Sequence, residues 1–453
     1  MHTPTPQDAA AAGRVADWSL ARLADRRAVL PPVEPAAPLP QIGDDGIGVQ
    51  AAVDLLLDAV LPSASPPDHP RYLAFVPGTP TVAAAIADMA LSAAMVYGGS
   101  RMEAGVAVEA EDAVIRWLAD VVGFPPGAGG TFVSGGSIGT LSALVVARGD
   151  PDAVPGRPVI VSGVSAHSSV AAAARVMGCR LVTAPAADDY GRLTGATLRA
   201  ALDGLGDRDG GDAVVAVAAS GGATNNGAVD DLAGVAEVCR ERRLWLHVDG
   251  AYGGGALLST GARHLFAGIE HADSFIVNPH KWLYAPFDCA AVLYRDAATA
   301  RRALTQQADY LDWLHDEESD PADLALHLTR RVRGVPLWVS LLANGTRAYT
   351  EAVDHCFDVA GHAAREIERH PTLELVLEPA LTVLLVRRRG WGEAEYGAWS
   401  EQALRRGLAF VVPTKHRGET VLRFCFINPL TTQADVDLIL DDLRAQDLAI
   451  LSS

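Results

Sequence analysis

The chain has 453 residues, of which 49% are apolar and 20% charged, and its formal net charge is −18. This length exceeds one ordinary hydrophobic core, so we expect two domains or a large domain with a smaller companion. The negative charge argues against nucleic acids and anionic membrane surfaces as partners, because both bind clustered lysine and arginine. No uncharged apolar run approaches the roughly 20 residues of a membrane-spanning helix, so no membrane association is expected.

The cysteines are scattered, odd in number and form no Cys-X-X-Cys pair, so neither a disulfide framework nor a metal site is indicated. They are Cys179, Cys239, Cys289, Cys356 and Cys425. The amino end carries no charged segment followed by a continuous apolar block, which argues against a secretion signal. A cytoplasmic location is therefore expected.

Residues 1–68 are predicted to form a helical dimerisation segment. Residues 9–30 and 47–61 have the apolar spacing of amphipathic helices, and each helix is followed by proline. A proline-rich linker, residues 31–40, joins them. Because two helices joined in this way lack a core of their own, we expect them to pack on a second subunit.

Residues 69–340 are predicted to form a large α/β domain. Short apolar runs alternate with helical patterns, which is typical of βαβ units and of a mainly parallel sheet buried on both faces. The predicted strands are residues 158–162, 180–183, 213–219, 244–248, 274–277 and 290–294. The predicted helices include residues 82–95, 107–122, 168–177 and 232–242. Residues 306–323, with seven acidic side chains around Tyr310 and Trp313, are predicted to be a mobile surface lid.

A long helix, predicted over residues 336–369, leads into a small α+β domain that comprises residues 341–453. Its predicted strands lie near residues 373–377, 381–387, 409–412 and 421–426. The fold class expected from this order is α/β, with an amino-terminal helical segment, a large domain and a small carboxy-terminal domain.

Lys281 is one of two lysines among 37 basic residues, the other being Lys415. A primary amine can lose its proton and condense with an aldehyde, whereas a guanidinium cannot. The apolar residues 274–277 and 282–284 flank Lys281 and would favour its neutral form. Lys415 lacks such surroundings and is equally well interpreted as a surface lysine.

Three further features have two interpretations each. The turn at residues 134–140 precedes a helix, so its free N–H groups suit a phosphate, although a tight connection explains it equally well. Asp249 ends an apolar strand and needs a cationic partner such as a protonated pyridine nitrogen, unless it caps the segment that follows. His167 precedes a helix, where it is either a polar residue at the helix start or a ring that stacks on a ligand. Together with Lys281, the three features predict a pyridoxal phosphate site.

Several segments match one known family. They are His69-Pro70-Arg71-Tyr72, Ser134-Gly135-Gly136-Ser137, Ala166-His167-Ser168-Ser169, His247-Val248-Asp249-Gly250-Ala251-Tyr252, Asn278-Pro279-His280-Lys281-Trp282 and Leu422-Arg423-Phe424. From about residue 65 onward the chain resembles the group II pyridoxal-phosphate-dependent amino acid decarboxylases, which include aromatic-L-amino-acid, tyrosine and histidine decarboxylases. The resemblance implies fold type I, resembling aspartate aminotransferase, and an obligate homodimer.

The resemblance also implies roles for individual residues. Lys281 would condense with the cofactor aldehyde, Asp249 would pair with the pyridine nitrogen, and His167 would stack on the ring. The implied cofactor-binding set is Gly136, Ser137, His167, Ser220, Asp249, Ala251, Asn278, His280 and Lys281. Tyr310 stands where the family carries a lid tyrosine that helps to reprotonate the substrate carbon, although it could serve only to anchor the lid.

The implied substrate pocket departs from the family pattern. Its residues are Phe75, Val76, Pro77, Gly78, Tyr97 and Gly99. Gly78 and Gly99 replace bulkier residues, so we expect a mostly apolar pocket with extra room. No lysine or arginine is obviously placed to bind a side-chain carboxylate, although Arg101 lies close to Tyr97 in sequence. Ala223 also stands where relatives carry threonine.

These observations predict an enzyme that decarboxylates an L-amino acid, with an aromatic side chain expected, to an amine and carbon dioxide. Two alternatives stay open. One is decarboxylation coupled to oxidative deamination on the same cofactor, and the other is a pyridoxal-phosphate-binding partner protein without turnover.

Overall fold

The structure is a computed structural model that describes residue 3 and residues 5–28, 30–32, 38–149, 157–205, 213–306 and 320–445. Helix α1, Pro6–Ala24, begins at Thr5, whose hydroxyl accepts a hydrogen bond from the Asp8 N–H in a capping box. Helix α2, Val49–Leu55, continues into a π-helical turn, Leu56–Val60. Neither α1 nor α2 resembles a membrane span, and no helix in the described ranges is long and apolar enough to cross a membrane.

The predicted helix 9–30 ends earlier than expected. Arg26 and Arg27 follow the end of α1, and they form ion pairs with Asp68 and Asp435, respectively. These contacts draw the chain away from the helix axis and onto the body of the protein. The apolar spacing continued beyond residue 24, but the two ion pairs could not be deduced from it.

A seven-stranded sheet forms the large domain, in the order β1-β7-β6-β5-β4-β2-β3. The strands are β1, Gly129–Val133; β2, Val159–Ser162; β3, Arg180–Thr183; β4, Val214–Ser220; β5, Trp245–Asp249; β6, Ser274–Val277; and β7, Ala290–Tyr294. Strand β7 is antiparallel to both of its neighbours, and all other neighbouring pairs are parallel. The prediction of a mainly parallel mixed sheet is therefore confirmed.

The large domain also contains helices, and those from residue 106 onward pack against the apolar faces of this sheet. The helices are α3, Val82–Ala94; α4, Arg101–Ala104; α5, Val106–Val122; α6, Gly136–Arg148; α7, Ser168–Val176; α8, Gly195–Leu205; α9, Leu232–Arg242; and α10, Ala297–Leu304. Strand β1 was not predicted, because its two glycines read as a turn. A Cβ atom at Gly130 would clash with the carbonyl oxygen of Val292 on β7, so glycine permits this close pairing of strands.

Helix α11, Val335–Glu368, connects the two domains and is interrupted at Gly345, whose φ of 73° and ψ of 158° are not helical. A four-stranded antiparallel sheet follows, in the order β10-β11-β9-β8. Its elements are β8, Leu373–Leu375; β9, Val383–Arg388; α12, Glu393–Arg405; β10, Val412–His416; β11, Glu419–Cys425; and α13, Gln433–Ala445. The predicted boundary at 340/341 falls inside α11, so the three-part division stays a proposal.

The strand predicted at 409–412 begins later, as β10. Phe410 instead pairs with an earlier segment: its carbonyl accepts from the Leu73 N–H at 2.8 Å, and its N–H donates to the Arg71 carbonyl at 2.9 Å. This bridge ties the small domain to the beginning of the large one. Sequence pattern alone does not distinguish a strand in the small sheet from a bridge of this kind.

A buried ion pair holds together three separate segments of the large domain. Glu111 on α5 accepts two hydrogen bonds from Arg330, at 2.7 and 2.6 Å, and a third from the Gly334 N–H at 2.7 Å. Arg330 also donates to the Gly98 carbonyl at 2.6 Å. Both side chains are buried, so each charge depends on its partner.

We predict that Glu111→Ala lowers the free energy of unfolding by about 3–5 kcal/mol, because it leaves the Arg330 charge buried without a counter-ion. The matched control is Glu351→Ala, which removes the exposed partner of Arg347 and should change the stability by less than about 1 kcal/mol. Urea denaturation followed by circular dichroism measures both. Equal effects of the two substitutions would contradict the prediction.

Candidate active site

Parallel strands deliver several polar residues to one edge of the large sheet. Ser220 ends β4, Asp249 ends β5, and the two residues are aligned in the register of the strands. Val277 ends the next strand, β6, and Asn278 follows it. Because the carboxyl ends of parallel strands open on a common crevice, these side chains meet there.

The crevice is a cavity of about 150 Å³. Its lining residues are Gly136, Ser137, His167, Ser169, Ser220, Gly222, Ala223, Thr224, Asp249, Ala251, Tyr252, Asn278 and Lys281. Of the nine cofactor-binding residues that the sequence nominated, His280 does not line the cavity and the other eight do. The fold thus brings together residues that are up to 145 positions apart in the sequence, from Gly136 to Lys281.

Lys281 lies in a tight turn after β6, where its N–H donates to the Asn278 carbonyl at 2.9 Å. The next residue, Trp282, is 1% exposed and stacks on Tyr252 with ring centroids 5.4 Å apart. Burial lowers the pKa of Lys281, and the nearby Asp249 carboxylate offsets part of that effect. A lowered pKa increases the fraction of the amine that is neutral and nucleophilic. Lys415, by contrast, is exposed and hydrogen-bonded to Glu393 at 3.2 Å.

Asp249 is oriented by its own backbone turn. One carboxylate oxygen accepts a hydrogen bond from the Ala251 N–H at 3.0 Å. The other oxygen accepts no hydrogen bond from the residues that the structure describes, and Asp249 lines the cavity. This arrangement leaves one oxygen for a cationic hydrogen-bond donor in the cavity.

The glycine-rich turn lies at the beginning of α6. The first N–H groups of a helix have no intrahelical acceptor, and the helix dipole favours a negative charge there. A Cβ atom at Gly136 would lie 3.1 Å from both polar side-chain atoms of Asn278, so glycine keeps this part of the cavity open. The Asn278 carboxamide is buried, and its oxygen has no partner among the described residues. The free N–H groups at the start of α6 are donors that fit a phosphate group, and of the Asn278 carboxamide only the nitrogen can donate to one.

His167 begins α7 and also lines the cavity. Its Nδ1 accepts a hydrogen bond from the Ser169 N–H at 3.2 Å and lies 2.9 Å from the Ser169 hydroxyl. The helix-start interpretation of His167 therefore holds, and it does not exclude a role in the cavity. Because Nδ1 accepts in this contact, Nε2 is the ring nitrogen that can donate a hydrogen bond.

His280 lies behind Asn278 instead of in the cavity. Its Nδ1 accepts from the Cys289 N–H at 3.0 Å, and its Nε2 lies 3.4 Å from the Asn278 amide nitrogen. Burial lowers the pKa of His280 to about 4, so the ring is neutral. Its position suits orientation of Asn278, and the contact of His280 with the cofactor stays a prediction.

The sequence did not assign roles to several residues of the site. Arg423 on β11 is buried and donates to the Thr224 carbonyl at 2.6 Å and to the Phe75 carbonyl at 2.6 Å. It thereby links both domains at the cavity. Ser169 and Tyr252 line the cavity as well. Arginine in the middle of an apolar strand was the available signal for Arg423, since a buried charge needs partners.

The proposed substrate pocket is divided between two parts of the fold, and none of its six residues lines the cavity. Gly78 packs against the Lys281 turn, where a Cβ atom would clash with the His280 carbonyl oxygen, so this glycine permits close packing and adds no room. The Tyr97 hydroxyl donates to the Leu328 carbonyl at 3.2 Å, in a different region. The pocket assignment as a whole stays a prediction.

Two further expectations concern charges near the site. Arg101 forms an ion pair with Asp112 at 2.7 Å, so a structural contact already uses its charge. Tyr310 and most of the acidic segment lie in residues 307–319, outside the residues that the structure describes.

Pyridoxal phosphate fits this arrangement at three points: the helix start with Ser137 and Asn278 for the phosphate, Asp249 for the pyridine nitrogen, and Lys281 for the aldehyde. The chemistry of the donors, together with the space that Gly136 leaves open, matches the cofactor that the sequence predicted.

Comparison with known proteins supports pyridoxal phosphate as the cofactor. Residues 56–388 match the family model of the pyridoxal-dependent decarboxylase conserved domain. The chain is 31% identical over 399 residues to an aromatic-L-amino-acid decarboxylase of Bacillus atrophaeus, a match that covers 83% of this chain and 81% of the relative. It is 32% identical over 376 residues to the cysteine sulfinic acid decarboxylase of Mus musculus, covering 76% of each chain.

The fold is also similar to that of solved amino acid decarboxylase structures. A tryptophan decarboxylase of Catharanthus roseus in complex with L-tryptophan superimposes with a TM-score of 0.87, covering 98% of both chains at 22% identity. This similarity concerns the fold alone. The site geometry, the family model and the curated relatives together identify the chain as a member of the pyridoxal-phosphate-dependent amino acid decarboxylases, which are carboxy-lyases of fold type I.

Proposed function

We propose that this carboxy-lyase acts on an aromatic L-amino acid. The observation that carries the proposal is that Arg101, the arginine that lies close to the proposed pocket in sequence, is already paired with Asp112. Arg423 beside the cavity donates to two backbone carbonyls, which fix its guanidinium between the two domains. The relatives act on aromatic and on acidic substrates alike, so their similarity does not choose between these classes.

An exposed aromatic side chain supports the same proposal. Phe75 is 61% exposed and has a positive φ of 55°, which turns the chain next to the Arg423 guanidinium. Its ring contacts Phe410 edge-on at 6.2 Å. An aromatic substrate would find apolar and edge-to-face contacts at such a surface.

Each residue of the site has a distinct task in the proposed reaction. Pyridoxal phosphate, when bound, supplies an electron sink for the electron pair that the departing carboxylate leaves behind. Lys281 would offer a neutral amine to the aldehyde, and Asp249 would keep a positive charge on the ring nitrogen. His167 would pack against the ring, while Ser137 and the first N–H groups of α6 would hold the phosphate. Tyr310 stays the predicted proton donor to the substrate carbon.

Lys281→Ala is predicted to abolish the visible absorbance of the bound cofactor and to reduce turnover by several orders of magnitude, because no other amine lies in the cavity. Lys415→Ala is the matched control, since it removes the chain's other lysine, and it should retain both properties. Absorbance spectra and carbon dioxide release measure the two effects. A visible band that survives in Lys281→Ala would refute the assignment.

A panel of the twenty L-amino acids and cysteine sulfinate tests the substrate class. We expect kcat/KM for an aromatic amino acid to exceed that for glutamate by about 100-fold or more, because a side-chain carboxylate would be desolvated without a partner. Carbon dioxide and amine are measured, together with ammonia, peroxide and aldehyde, which report the oxidative alternative. A preference for glutamate or cysteine sulfinate would contradict the proposed class.

The proposal includes a homodimer in the cytoplasm. Helix α3 packs on α11 and its Ala84 is fully buried, but its outer face exposes Val82, Ile86 and Met89 at 49%, 47% and 41%. An apolar helix face of this kind is typical of a protein interface. The five cysteines, all within the described residues, are free and buried, which suits a reducing compartment.

We predict that the wild-type protein sediments as a dimer at micromolar concentration and that Ile86→Glu with Met89→Glu shifts it to a monomer, since two charges would be buried at the interface. Leu438→Glu is the control, because it places a charge at an exposed apolar position on α13 and should leave the dimer intact. Sedimentation velocity measures all three. A monomeric wild type would overturn the proposal.

A further inference from the structure

Two buried side chains, His247 and Ser274, form a hydrogen-bonded cluster with the partly buried Trp245 next to Asp249. Side chains alternate along a strand, so Trp245, His247 and Asp249 of β5 lie on the same face of the sheet. Ser274 on β6 is aligned with His247 in the register. Its hydroxyl oxygen accepts a hydrogen bond from the Trp245 indole N–H at 2.8 Å and lies 2.9 Å from Nδ1 of His247.

The available donors determine the tautomer of His247. An indole N–H can only donate, so the Ser274 oxygen is the acceptor in that contact. The Ser274 hydroxyl then has its own proton to donate, and Nδ1 of His247 is the acceptor within reach. Burial lowers the pKa of His247 to about 4, so the imidazole is neutral. A neutral ring that accepts at Nδ1 carries its proton on Nε2.

The Nε2–H group has no hydrogen-bond partner among the described residues, although His247 is completely buried. A buried donor without a partner is costly, and an apolar side chain would fill the same space without that cost. Asp249 is the charged group that acts on the pKa of His247. Two positions along a strand span about 7 Å, so the imidazole and the carboxylate are neighbours.

We propose that His247 is a positioning residue for Asp249, and that its Nε2–H dipole stabilises the negative charge with which Asp249 holds the cofactor's ring nitrogen. Ser274 and Trp245 fix the imidazole in the tautomer that this task requires. The inference rests on the proposed role of Asp249 and extends it to residues that do not touch the cavity. His247 moves no proton, and its contribution is purely electrostatic.

Three substitutions separate this role from packing. The side-chain amide of asparagine reproduces the position of Nδ1, whereas that of glutamine reproduces the position of Nε2. His247→Asn therefore keeps a polar group for Ser274 and loses the donor next to Asp249. His247→Gln keeps that donor. Asparagine is one methylene shorter than glutamine, so a loss of packing alone would also make His247→Asn the weaker variant. His247→Leu, which is close to glutamine in volume but has no donor, separates the two causes: it should resemble His247→Asn if the donor matters and His247→Gln if only packing matters.

The measurement compares the holoenzymes of wild type, His247→Asn, His247→Gln and His247→Leu. We expect His247→Asn to release pyridoxal phosphate about tenfold faster and to show a smaller visible-absorbing fraction of bound cofactor, since one interaction with a charged group is lost. His247→Gln should stay within about twofold of wild type for both quantities. Equal behaviour of His247→Asn and His247→Gln, or faster release from His247→Gln, would overturn the proposal.

Ser274→Ala provides the test should His247→Asn fail to fold. Without the hydroxyl, the proton can move between the two ring nitrogens, so cofactor release should accelerate by a few-fold. Unchanged release would overturn the proposal. If the wild-type protein shows no visible absorbance that is lost in Lys281→Ala, the proposed function itself is refuted. If the wild type shows that absorbance but the His247 and Ser274 variants release the cofactor at the wild-type rate, only the role of His247 is refuted.

Discussion

The whole site depends on one electrostatic constraint: an amine and a carboxylate are held together in a crevice at one edge of the large sheet, with Asp249 at the end of β5 and Lys281 in the turn that follows β6. Burial lowers the pKa of Lys281, and Asp249 opposes this effect. Either charge alone would be costly in such surroundings. Their proximity limits that cost and leaves both groups facing a cavity in which a ligand with an aldehyde and a cationic nitrogen fits between them.

The parallel sheet satisfies this constraint. It aligns the ends of β4, β5 and β6 at a single edge, so the functional residues that end or follow these strands lie close together. The small domain completes the site through Arg423, which reaches the Thr224 and Phe75 carbonyls. Packing of Trp282 against Tyr252 beneath the Lys281 turn fixes the position of the amine. Function in this fold thus depends on backbone registration more than on individual side-chain contacts.

Periodicity and strand-end chemistry predicted most of this arrangement. The strands from β2 to β7 and the position of Asp249 follow from short apolar runs that end in polar residues, whereas Ser220 and Asn278 were expected from the family resemblance. Strand β1 was not predicted because its glycines are typical of a turn. They are required by the close pairing with β7, which is a tertiary contact and leaves no signal in the local sequence. The position of His280 behind Asn278 and the close packing at Gly78 also depend on three-dimensional contacts. Arg423 lacked a role because its partners are backbone carbonyls far away in the sequence.

The central claim is that Lys281, and not Lys415, carries the cofactor. Its most direct test is reduction of the holoenzyme with borohydride, followed by proteolysis and mass spectrometry of the lysine-containing peptides. The account predicts that the pyridoxyl group is covalently attached to the peptide with Lys281 and is absent from the peptide with Lys415. Attachment to Lys415, or no attachment to either lysine, would contradict it.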